Sequence, residues 1–231
     1  MDRKRLRENW ETVRGRMAEA ARRSGRPAGS VTLVAVTKRS PAAWLRPLVD
    51  LGAMDLGENY PQELWGKAAT LADLPVRWHL IGHLQGNKAR RTLPLVRLVH
   101  GVDSPRLLGA LDARAAGMAD PPSACLQVNV SGETTKHGWS PEALFGDAGL
   151  FAACRHLPIV GLMTMAALGT TAEAARPAFA RLRALRDALR AETGLALNEL
   201  SMGMSHDYEV AIEEGATLIR VGSALFEGVE G

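Results

Sequence analysis

Only two cysteines occur in the 231 residues, Cys125 inside an apolar run and Cys154 in a helical stretch. They build neither a disulfide framework nor a zinc-ligand spacing, so stapled miniature folds and zinc modules are excluded and a reducing cytoplasm is the expected compartment. Long apolar runs are missing too. Nothing approaches the roughly 20 residues that span a bilayer, and the opening MDRKRLRENW is charged where a secretory leader would be apolar. An excess of one charge is also lacking: 28 Lys plus Arg face 25 Asp plus Glu. The densest positive stretch, Arg3 to Arg23, is interleaved with Glu as on the solvated face of a helix, so nucleic acid is not implied. No G-x-G-x-x-G follows a strand-like run, and neither a Walker-type G-K-[ST] nor a G-x-S-x-G elbow occurs, which removes the common nucleotide-binding and hydrolase readings.

What the chain does have is alternation. Leu6, Trp10, Val13 and Met17 fall on one face of a helix ending near Gly25. Strand-like runs follow at residues 31–37, 54–59, 78–82, 98–103, 124–130, 159–165, 197–204 and 217–226. The first, VTLVAVT, is β-branched and nearly continuous in apolar character, as in a parallel strand buried on both faces. Helical stretches stand between runs: after Pro41, Pro61 to about Ala72, Ser104 to about Met118, Ser140 to about His156, Ala172 to Glu192, and through Val210 and Ile212. Eight such runs predict an α/β fold, a closed (β/α)8 TIM barrel, with an extra N-terminal helix packed outside it or across its bottom. No linker or internal repeat cuts the chain, so residues 1–231 are expected to form a single domain.

In such a barrel chemistry gathers at the carboxyl ends of the strands. There stand Lys38, Glu58, Asn59, His83, Asp103, Ser104, Asn129, Ser131, Met163, Thr164, the segment Ser201 to Ser205, and Gly222 with Ser223. Lys38 follows an uncharged strand, where partial desolvation would favour the neutral amine that condenses with an aldehyde; a strand-end lysine also serves merely to snorkel. LSMGMS (Leu200 to Ser205) and RVGS (Arg220 to Ser223) offer small residues whose backbone N–H groups can approach an anion, in the corner where these barrels favour phosphate; the plainer role of Gly203 and Gly222 is a tight turn. A strand-one lysine opposite a phosphate corner describes a pocket for a phosphorylated aldehyde, and pyridoxal 5′-phosphate fits. Arg220 would then keep the pyridine nitrogen unprotonated, a poor electron sink, unless it simply pairs with a barrel carboxylate. His79 and His83 have i, i+4 spacing but straddle a strand end and lack the adjacent Glu of a zinc hydrolase. The loop Ser131 to Gly138, with Lys136 and His137, is either part of the mouth or a surface loop.

Seven motifs in order, VTLVAVTK with Lys38, LGENYPQE, WHLIGHLQGNK, QVNVSGETTKHG, GLMTM, LSMGMSHD and IRVGSALFEG, resemble the pyridoxal phosphate homeostasis proteins over almost the whole chain. The resemblance implies a monomeric cytoplasmic barrel similar to the N-terminal domain of alanine racemase. It places the cofactor on Lys38 as a Schiff base, its phosphate at Ser201, Gly203, Gly222 and Ser223, Arg220 near the ring nitrogen, and Asn59 among the contacts. It also implies a role without established catalysis: binding, buffering and handing over the vitamin B6 cofactor, with apo pyridoxal phosphate enzymes as recipients. Pro61, Gly86 and His206 depart from the family pattern, and His206 bears on affinity at the phosphate corner. The rival expectations are an amino-acid racemase or lyase, for which only Tyr60 and Tyr208 could supply a tyrosine base, and a cofactor-free lysine lyase.

Overall fold

In a computed structural model, which describes residues 1–133, 137–167, 169 and 171–229, eight parallel strands close into a barrel in sequence order. They are β1 (Thr32–Val36), β2 (Asp55–Glu58), β3 (Arg77–Leu80), β4 (Val96–Val102), β5 (Ser123–Gln127), β6 (Ile159–Met163), β7 (Glu199–Ser201) and β8 (Leu218–Val221). Pairing of β1 with β8, Val34 opposite Arg220, closes the ring. The helices are α1 (Arg3–Arg23), α2 (Ala42–Asp50), α3 (Pro61–Thr70), α4 (Ala89–Thr92), α5 (Pro105–Ala115), α6 (Pro141–Gly146), α7 (Ala148–Ala153), α8 (Ala172–Thr193), α9 (Tyr208–Glu213) and α10 (Ser223–Phe226).

Period-two alternation sorts each strand between two cores. Leu33, Ala35, Leu56, Leu80, Val99, Leu126, Leu162, Leu200, Ile219 and Val221 point outward into the large core beneath the helices. Val34, Leu98, Cys125, Met163 and Leu218 form a smaller apolar cluster inside the barrel. The first helix packs outside the barrel on α9 and α10, burying Leu6, Trp10, Val13 and Met17 as their spacing predicts. Asp2 caps its N-terminus by accepting from the Arg5 amide.

Four departures from the sequence reading have local causes. The segment from Ser140 to His156 is two helices, because the chain bends at Asp147, whose carboxylate accepts from Trp139 Nε1 at 2.8 Å. Strand seven stops at Ser201 rather than running to Met204: Gly203 has φ +94°, and a Cβ there would lie 2.6 Å from that of Ala211. The second half of TLIRVGSALF turns into α10 after Gly222. Between β3 and β4, residues 86–95 form short helical turns around α4, too brief for a periodic signal. Among the described residues no helix is long and apolar enough to cross a membrane.

Candidate functional site

The carboxyl ends of the strands form a mouth whose first wall is built from buried polar side chains. Glu58, fully buried at the end of β2, accepts at Oε1 from the Thr37 hydroxyl (2.5 Å) and from Lys67 Nζ on α3 (2.7 Å). Lys67 also donates to the Thr37 carbonyl at 2.7 Å, so the last residue before Lys38 is held on both its hydroxyl and its main chain. Lys38 itself is exposed rather than half enclosed, and among the described residues it makes no ion pair or side-chain hydrogen bond. Nothing holds its amine back from a ligand. Beside it Asn59 is half-buried, and Gly82 lets β3 end against it: a Cβ there would sit 2.3 Å from the Asn59 carbonyl oxygen.

Arg220 projects from β8 into the barrel and is almost wholly buried. Its Nη1 donates to Ser201 Oγ at 2.5 Å and its Nη2 to the Thr164 carbonyl at 2.8 Å. Among the described residues it has no carboxylate partner, so it is not the structural ion pair that the sequence left open. Burial draws its pKa down to about 10, with Asp207 pulling the other way. Two of its five N–H donors are engaged, which leaves three for a group above it.

Ser201 departs from the expectation of a hydroxyl at the phosphate corner. It faces the barrel interior, fully buried, and its oxygen is taken by Arg220 and by His100 Nδ1 at 2.6 Å. The hydroxyl that does stand at that corner is Ser205, whose Oγ accepts from the Gly222 amide (3.2 Å) and the Ala224 amide (3.3 Å) at the start of α10. An acceptor already occupying those amides marks a place suited to an anion oxygen. Gly203 turns the chain toward Ser205, while Gly222 is half-buried and Ser223 exposed at the mouth. Sequence reasoning named the segment through Ser205 and missed which serine meets the amides; period-two alternation gives Ser201 and Ser205 the same parity, and only the end of β7 at Ser201 and the turn at Gly203 separate them.

On the opposite rim Asp103 binds His83 Nδ1 at 2.9 Å, and the His83 ring stacks on His137 with centroids 5.9 Å apart. Asn129 donates to the Glu133 carbonyl and accepts from Ser131 and the Gly132 amide, shaping the start of the loop. Lys136, singled out in the sequence, lies outside the described residues. His79 points into the barrel and His83 stands on the rim, so the two do not converge, and the described residues contain no group of three or more metal-ligating side chains. Tyr60 is exposed, and Tyr208 is buried in the outer core under Arg16.

Residues 1–229 match the family described as the alanine racemase N-terminal domain. A curated relative from Pseudomonas aeruginosa, named pyridoxal phosphate homeostasis protein, is 44% identical over 219 residues, covering 95% of this chain and 94% of its own. The chain belongs to the pyridoxal phosphate homeostasis protein family. Another relative under that name, from Aquifex aeolicus, is 40% identical over 222 residues and covers 95% and 96% of the two chains. PipY of Synechococcus elongatus, solved with PLP bound, superposes with a TM-score of 0.85 at 39% identity over 96% of this chain and 99% of PipY. An alanine racemase from Corynebacterium glutamicum shares the fold at 16% identity, with a TM-score of 0.70, over 63% of its length. For a member of the homeostasis protein family, then, the mouth of the barrel is the place to seek function.

Proposed function

We propose that this chain binds pyridoxal 5′-phosphate at the carboxyl-end mouth, holds it on Lys38, and stores and hands over the cofactor rather than transforming amino acids. The observation that carries this reading is the pairing of an exposed lysine at the end of β1, without an ion pair or side-chain hydrogen bond among the described residues, with a buried, donor-only guanidinium on the adjoining β8. When bound, the cofactor supplies an aldehyde that a lysine amine converts reversibly to an imine. The residues fit its other parts as well. Gly222, Ser223 and Ser205 would receive the phosphate, with Gly203 shaping the turn and Asn59 flanking Lys38. Ser201 would act from below through Arg220.

Arg220 has no proton to surrender at neutral pH, so it would hydrogen-bond to the ring nitrogen without protonating it. That restraint, together with Tyr208 lying in the outer core, supports a carrier over a racemase or lyase. The reading extends to one domain over residues 1–231, acting as a cytoplasmic monomer that supplies apo pyridoxal phosphate enzymes.

Titration followed by absorbance tests the site: pyridoxal lacking the phosphate should bind at least about tenfold more weakly, since charge-assisted hydrogen bonds contribute roughly 1.5–3 kcal/mol each. Equal affinity for the two would displace the phosphate from this corner. Solvent deuterium at Cα of L-alanine tests the role, and Lys38-dependent exchange on the order of 1 s⁻¹ or faster would make the protein an enzyme.

A further inference from the structure

The interior of the barrel holds a second polar system that the mouth does not account for. Below Arg220, where Val34, Leu98, Cys125, Met163 and Leu218 supply apolar filling, Ser201, His100, His79 and Asp55 form an unbroken series of contacts. Ser201 Oγ to His100 Nδ1 is 2.6 Å, His100 Nε2 to His79 Nδ1 is 2.9 Å, and His79 Nε2 to Asp55 Oδ1 is 3.0 Å. All four residues are buried. At the bottom Arg77 grips Asp55 through Nε (2.8 Å) and Nη2 (2.6 Å), beside a cavity of about 280 Å³ that Arg97 and Glu199 also line.

We propose that Asp55, His79 and His100 are positioning residues for Arg220, joined through Ser201 in a hydrogen-bond chain whose direction is fixed by its two ends. The proposal rests on the cofactor reading above and adds what sets the group beneath the ring. Arg220 can only donate, and an ionised Asp55 can only accept. His79 therefore donates from Nε2 to Asp55 and accepts at Nδ1 from His100 Nε2–H. His100 accepts at Nδ1 from the Ser201 hydroxyl, and Ser201 accepts from Arg220. Each neutral ring then carries its proton on Nε2, and every group has a partner.

The reverse arrangement has a doubly protonated His79 and a His100 that donates from Nδ1. It leaves the buried Ser201 hydroxyl proton with no acceptor among the described residues, which a dry interior penalises. Deep burial also holds the His100 pKa well below its ordinary value. The favoured direction leaves the negative charge on Asp55 and, through aligned dipoles, makes the oxygen that Arg220 grips a better acceptor. A guanidinium without a carboxylate of its own is thus anchored at Ser201 and at the Thr164 carbonyl, with its remaining donors free for the mouth.

The wild-type protein without cofactor is the first test. Long-range ¹H–¹⁵N correlation of its histidine rings at about pH 7 should find His79 and His100 neutral and protonated on Nε2. A proton on His100 Nδ1, or a doubly protonated ring at either position, overturns the chain. The second test loads wild type, His100→Phe, Asp55→Asn and a control, Arg97→Gln, with pyridoxal 5′-phosphate. Both chain variants should weaken binding about tenfold and give the bound chromophore a pH-dependent absorbance that wild type and control lack. Unchanged spectra in both chain variants overturn the positioning role. If the wild type takes up no cofactor, the functional reading fails, while the ring-proton measurement still decides the chain.

Discussion

Two lysines stand near the end of β1, and their surroundings are opposite. Lys67 looks like the reactive one, being buried against the strand, yet its ammonium is shared between Glu58 Oε1 and the Thr37 carbonyl. Lys38 is exposed and has no partner among the described residues. Burial alone therefore does not mark a nucleophile; an amine bound to a carboxylate has its lone pair occupied by a proton that the carboxylate helps retain. Here the buried lysine braces the main chain from which the exposed one projects.

The largest effect should come from chemistry. After borohydride reduction of the loaded protein, peptide mass analysis should place the pyridoxyl adduct on Lys38, and Lys38→Ala should lose it completely. Transfer of the adduct to Lys67 would erase the distinction between the two residues, and an adduct mainly on Lys88 or Lys136 would move the site. Next comes stability. Lys67→Met strands Glu58 in the interior with no counter-charge, which costs about 3–5 kcal/mol. Adding Glu58→Gln should recover most of that loss in denaturant unfolding, and a lone Lys67→Met that unfolds like wild type would make the pair dispensable.

A smaller effect sharpens the contrast within β2, between Glu58 and Asp55. Burial pushes the Asp55 carboxyl up, but the hydrogen bonds from Arg77 and then His79 outweigh it and hold it well below the usual carboxylate range. As pH falls below about 4 the unfolded chain takes up its proton first, so stability present above that pH is lost on the way down. The loss attached to this group is about 1.5–3 kcal/mol, typical of hydrogen bonds to a charged acceptor. Asp55→Asn should flatten that part of the acid unfolding curve, and an unchanged curve would mean that Asp55 is equally easy to protonate folded and unfolded.

The barrel was legible because eight strand-like runs alternate with helical stretches, and the places of Lys38, Asn59 and Gly222 at the strand ends follow from that order alone. The chain from Asp55 to Arg220 was not. His100 and Ser201 are neighbours across the barrel but lie 101 positions apart. Inward parity does carry a trace of it: Asp55, His79, His100, Ser201 and Arg220 put polar side chains at interior positions of five strands where Val34, Leu98 and Leu218 show the apolar norm. That Ser205 and not Ser201 meets the Gly222 and Ala224 amides has a local origin instead, since the strand end is set by where Gly203 turns.

Asn9 of α1 donates to the carbonyls of Leu225 and Glu227, and Arg5 donates to Glu227 as well. In mechanical terms, this clasp short-circuits the barrel. Tension applied between residues 5 and 227 is borne by three hydrogen bonds and the packing of α1, not by the staves of the sheet. Those bonds meet the chain at the end of α10, whose opening amides donate to Ser205 Oγ. A pull between residues 5 and 227 would thus load the turn from Ser205 to α10 through the same short segment.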